Sequence, residues 1–178
     1  MKTLGSGHIS INKFSGHILP EEKSSFKEGY KIVSFYIDAE SLIKRAYVLR
    51  QEGWREKENI GYYQRMFEAK KISNMRKYLT ENSRVFINNI ISTIAENQIK
   101  LFDRKGNPII INDKGEFEGD NASTNVTPAL IEINDECNII GLIDGQHRTY
   151  AYHEGDDIYE PHIAKLRKIQ NLLVTGIL

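Results

Sequence analysis

The apolar residues of this 178-residue chain come in short β-branched runs separated by turn-forming clusters, and that spacing constrains the fold most. "YKIVSFYI" (30–37), "PALIEI" (128–133), "NIIGLI" (138–143) and "NLLVTGIL" (171–178) have the length and composition of strands. The "NDEC" between the second and third predicts that they form a hairpin. A further strand is expected near 86–94 from its Ile, Val and Phe content, and a short one near "HISINKF" (8–14). Repeated Gly, Asn and Asp in "LFDRKGNPIIIND" and "DKGEFEGDNAST" mark hairpin decoration and a loop.

Two helices are expected among the strands. Asp38 stands where an N-cap belongs and Glu40 falls in the first turn; Leu42, Ile43, Ala46, Tyr47 and Leu49 form the apolar stripe, and Gly53 is the stop. The second helix should cover about 62–81, with Met66, Ala69, Ile72, Met75 and Leu79 on one face. Arg65, Lys70, Lys71, Arg76 and Lys77 fall largely off it, either as a solvated surface or as a stripe that meets phosphates. The pattern predicts an α+β domain over 30–178, a small mixed sheet with flanking helices, after a loosely ordered N-terminal arm (1–29). The chain ends on an apolar strand pattern, as expected of a piece of a longer protein or of a small protein.

Composition excludes several classes. At 40% hydrophobic and 27% charged residues the chain is globular and not disordered. No run reaches the roughly 18–20 apolar residues that span a bilayer, and the first twenty lack the apolar core of a secretory signal. Cys137 is alone, so no internal disulfide forms and a reducing cytoplasm is the expected location. Net charge is zero but unevenly placed: residues 1–90 hold 16 Lys and Arg against 10 Asp and Glu, and residues 91–178 hold 8 against 14. The basic half suits a polyanion; two halves that simply pack together explain the asymmetry equally well.

The densest chemistry lies in "LIDGQHRTYAYHEG" (142–155), where a strand pattern runs into a helical one. A helix start leaves backbone N–H groups without intrahelical acceptors and so attracts anions. Gly145 allows positive φ and a close approach of ligand to backbone. Arg148 presents a planar fork for phosphate or carboxylate oxygens. His147 can donate a hydrogen bond or exchange a proton, and Gln146 offers an amide. Asp144 could cap the helix, orient His147 or Arg148, or bind a metal together with a nucleotide. A purely structural turn, with Arg148 paired to Asp144 or Glu154, is the competing reading. A site made of metal alone is disfavoured, because His147 and His153 do not converge on one helix face.

"DGQHR" (144–148) resembles the name-giving motif of the DGQHR-domain family, which includes the DndB-like proteins linked to bacterial DNA phosphorothioate modification. "GYYQR" (61–65), "FINNIIST" (86–93) and "LLVTGIL" (172–178) resemble further segments of that family, so the likeness covers roughly 30–178. The arrangement is also similar to the ParB/sulfiredoxin superfamily, whose Gly-x-x-Arg turn holds nucleotide phosphates. That resemblance implies a phosphate-gripping role for Gly145, Gln146, His147 and Arg148, with Gln64 and Arg65 beside the same pocket. Gln146 stands where sulfiredoxins carry their reactive cysteine, which argues against their chemistry. ParB-like proteins have acidic and arginine residues where this chain has Gln146 and His147, which weakens any expectation of CTP.

The implied function is a DNA-associated regulatory or phage-defence module that binds nucleotide or DNA phosphate. The alternative is a nucleotide hydrolase or phosphotransferase, with Mg²⁺ on Asp144 or Glu154 and His147 as general acid or base. In a third reading the motif only stabilises its own turn.

Overall fold

The chain alternates strands and short helices, as the dispersed apolar runs require. In the computed structural model, described over residues 12–20, 31–48, 68–110 and 126–178, the elements run β1 (Lys13–Ile18), β2 (Ile32–Asp38), α1 (Ala39–Arg45), β3 (Ala46–Val48), α2 (Ala69–Asn82), β4 (Ile90–Ile94), β5 (Ile99–Phe102), β6 (Pro108–Ile109), β7 (Thr127–Ile133), β8 (Ile140–Asp144), α3 (Gln146–Tyr150), α4 (Glu160–Ile169) and β9 (Asn171–Ile177). The α+β class is as expected. The sheet is not small: its nine strands among the described residues lie in the order β3-β8-β4-β9-β2-β1-β7-β5-β6 and curl into a half-barrel. Pairs β3/β8 and β4/β9 are parallel and the other pairs antiparallel, so the sheet is mixed.

Period-2 alternation is clearest in β2, where Val33, Phe35 and Ile37 are buried and Tyr36 is exposed. Those residues join Ile18, Leu172, Val174, Ile131 and Ile133 in the core, with Leu42, Leu79, Ile163 and Leu166 supplied by the helices. In α1, Asp38 is the N-cap, its carboxylate accepting from the Ser41 amide at 2.8 Å.

Local patterns went furthest astray where pairing is non-local. β7 and β8 form no hairpin: β7 lies between β1 and β5, and β8 between β3 and β4. The segment joining them is fastened to the end of α1. Arg45 donates to the Asn134 carbonyl at 2.9 Å and pairs with Asp135 at 3.0 Å, while the Ile139 amide donates to the Arg45 carbonyl at 2.9 Å. That anchorage carries the chain across the sheet instead of turning it back.

For the same reason α1 stops at Arg45, well before Gly53. Ala46 and Tyr47, assigned to its stripe, enter β3 and pair with Ile140 and Gly141. The motif therefore sits one strand in from an edge. Of "HISINKF", residues 8–11 lie outside the described residues; its last two open β1, which lies between β2 and β7 well inside the sheet. β4 begins only at Ile90, because Phe86 turns to stack on Tyr78 and meet Tyr152 edge-on. Of the second helix, 62–67 lies outside the described residues and the rest runs to Asn82.

Candidate functional site

Strand β8 delivers Asp144 to the end of the sheet, and the chain turns at Gly145 into α3. Gly145 is the N-cap with φ +91°, the left-handed conformation expected of a glycine turn. Asp144 is the last strand residue, and α3 has no side-chain cap. The helix has only five residues, so its dipole is correspondingly small.

Gly145 is packed closely on its Cα side. A Cβ there would stand 2.9 Å from Ile90 Cγ1 and 3.0 Å from Arg148 Nη2, so the glycine's bareness is used by the protein's own packing. Thr149 closes the turn by donating from its amide and its hydroxyl to the Gly145 carbonyl, at 2.9 and 3.2 Å.

Arg148 is fixed on one nitrogen. Nη2 donates to the Asn89 carbonyl at 2.8 Å and to Asp144 Oδ2 at 3.0 Å; Glu154, the other carboxylate considered for it, approaches Arg167 instead. Nε is buried and donates to nothing among the described residues. The side chain is 18% exposed and that of Asp144 68% exposed, so the guanidinium lies at the mouth of the turn and not in the core.

His147 is buried, and its Nε2 accepts a hydrogen bond from the Glu68 amide at 3.2 Å. An acceptor nitrogen carries no proton, so in this pose Nε2 joins the motif to the start of α2 and does not present an acid. Gln146 is buried beside it. Gln64 and Arg65 lie outside the described residues. Among the described residues no three His, Cys, Asp or Glu side chains group to hold a metal ion.

Beneath the motif is an ionic network that the sequence reading missed. Arg76, expected off the apolar face of its helix, is buried. It donates through Nε and Nη2 to both Asp157 oxygens at 2.7 and 2.9 Å, through Nη2 to Glu160 at 2.9 Å, and through Nη1 to the carbonyls of Ala151 and His153 at 3.1 and 2.7 Å. Arg167 adds bonds to Glu160 and to the His153 carbonyl. Burial alone would lower the pKa of Arg76, but its bonds to Asp157 and Glu160 outweigh that and raise it. Asp157 is lowered, first by its bond from Arg76. Glu160, which burial pushes up, is brought below its ordinary value by Arg167 and Arg76.

A signal for Arg76 was present: it stands four residues after Ile72 and three before Leu79, on the buried face by helical spacing. Asn89 and Glu68, which act through backbone atoms, had no such signal.

No family model matches the chain, and neither the curated proteins nor the solved structures contain a significant match to it. Among the described residues no helix is long and apolar enough to cross a membrane.

Proposed function

We propose that this chain is a DGQHR-type domain of the ParB/sulfiredoxin-like kind, a bacterial DNA-associated regulatory or defence module that takes the phosphate of a nucleotide or of DNA at Arg148. One observation carries the reading: a part-exposed guanidinium at the mouth of the turn, held by Asn89 and Asp144 through Nη2. A fork anchored on one side is preorganised for an oxyanion, and Arg is suited to planar two-point contacts. Gly145 packs against that guanidinium, and His147 holds the start of α2.

Calorimetry with ATP, GTP and CTP, together with gel shift on duplex DNA, tests this in wild type, Arg148→Ala and Arg148→Lys. Both variants should lose binding, because an ammonium cannot replace the fork. If DNA is the ligand, affinity should fall steeply with salt as counterions are released. Wild-type affinity in Arg148→Ala ends the proposal.

A second reading draws on the same contacts: Arg148 and His147 as fasteners joining α3 to the Asn89 carbonyl and to α2. It expects Arg148→Ala to lower the melting temperature, through an orphaned carbonyl worth about 1–3 kcal/mol, with no ligand bound by either form.

A further inference from the structure

Away from the motif, the open face of the sheet carries a groove of about 1070 Å³ on β7, β1, β2 and β9, rimmed by the turn that follows β5. Its floor is ordered by strand register: His17 lies across from both Pro128 and Ser34, Ser15 across from Leu130, and Tyr36 across from Leu173. Tyr36 is 59% exposed, an unusual position for a large ring in the middle of a sheet, on a strand whose alternate residues Val33, Phe35 and Ile37 are buried. The rim is a hydrogen-bonded turn that carries two cations. Asp103 closes the turn by accepting from the amides of Lys105 and Asn107 at 2.7 and 2.8 Å and from the Asn107 side chain at 2.8 Å. With that carboxylate committed to the backbone, Arg104 and Lys105 project beside the groove, and neither forms an ion pair among the described residues.

An exposed aromatic on the strand surface, lining the same groove as two cations that form no ion pair among the described residues, matches a ligand that has both a π-face and an anionic backbone. We infer that this groove binds a segment of single-stranded nucleic acid: a base stacks on Tyr36 and phosphates further along the strand meet Arg104 and Lys105. A duplex does not fit this arrangement, because its base faces are covered by their neighbours in the stack. At about 1070 Å³ the groove lies just above the roughly 300–1,000 Å³ typical of small-molecule pockets, which favours a strand over one small ligand. The site lies on different strands from the motif turn, so it stands or falls independently of Arg148.

Fluorescence polarisation of the full chain with a short labelled oligothymidylate tests it, with thymidine monophosphate, heparin and an acidic peptide as competitors. Tyr36→Ala should weaken binding about tenfold or more, from the loss of one stacked base, and Tyr36→Phe should bind like wild type. Two phosphate contacts on a single strand give a log–log salt slope of roughly −1.4, which should fall towards zero in the Arg104→Ala/Lys105→Ala variant. An oligomer substituted with 5-iodouracil should crosslink, on irradiation, to the peptide that contains Tyr36. Monophosphate competing as well as the oligomer would mark a free nucleotide as the source of the same chemistry. The inference is overturned by absence of binding, by wild-type affinity in Tyr36→Ala with an unchanged melt, by crosslinks only elsewhere, or by heparin or acidic peptide competing as tightly as the oligonucleotide.

Discussion

Replacing Arg76 with alanine removes the guanidinium that ties α2 to the segment following the motif. The side chain is 1% exposed and its donors reach two carboxylates and two backbone carbonyls. Deleting one partner of a buried pair costs about 3–5 kcal/mol. Two features place the value within that range. Asp157 and Glu160 are 38% and 23% exposed, so water can reach them, and Glu160 keeps Arg167. Against this, the carbonyl of the buried Ala151 is left without its Arg76 donor, at about 1–3 kcal/mol. The expected loss is about 3–4 kcal/mol. For a chain of this length that lowers the melting temperature by roughly 10 °C, read by circular dichroism and by urea titration. Arg76→Met refills much of the volume but supplies no donor, and should recover only part of the loss. If Arg76→Ala stays within about 1 kcal/mol of wild type, the scale of an ordinary substitution, the network is not what holds this segment.

Gly145→Ala should cost about 2–3 kcal/mol in a denaturant titration, because φ +91° strains an L-residue and the new Cβ would stand 3.3 Å from the Ile90 backbone; a neutral result would mean the turn relaxes freely. Asp157 and Glu160 both have depressed pKa values in the fold, so their contribution is present above the ordinary carboxylate range of about 3.9–4.3 and is lost as pH falls through the lower folded values. Melting temperature should therefore drop steeply in acid for wild type and less steeply for Asp157→Asn/Glu160→Gln; equal acid limbs would contradict this linkage. If the motif were a hydrolase, His147→Ala would abolish Mg²⁺-dependent phosphate release. With Nε2 already accepting from the Glu68 amide, the expected effect is lost stability and no turnover to lose, checked by phosphate release and a thermal melt.

The residues around Arg148 show why part of the site could be read in advance and part could not. The turn at Gly145 and the Asp38 cap depend on sterics and hydrogen bonds within a few residues, which a local stretch of sequence displays. The acceptor that holds Arg148 is a backbone carbonyl 59 positions away, and any residue type supplies one. Arg76 was legible in principle from its helical spacing, but its charge argued for the surface. Only partners 81 and 84 positions away make its burial tolerable.

By itself the sequence determined the α+β class, most strands, the start of the first helix and the left-handed glycine that opens the motif. Each follows from propensity, periodicity or a short-range hydrogen bond. The tertiary structure alone decided that β7 and β8 part company, that α1 yields to an edge strand, and that Ile90 packs against Gly145. Strand neighbours are selected by which apolar faces can be buried together, and that choice involves residues far apart in the chain.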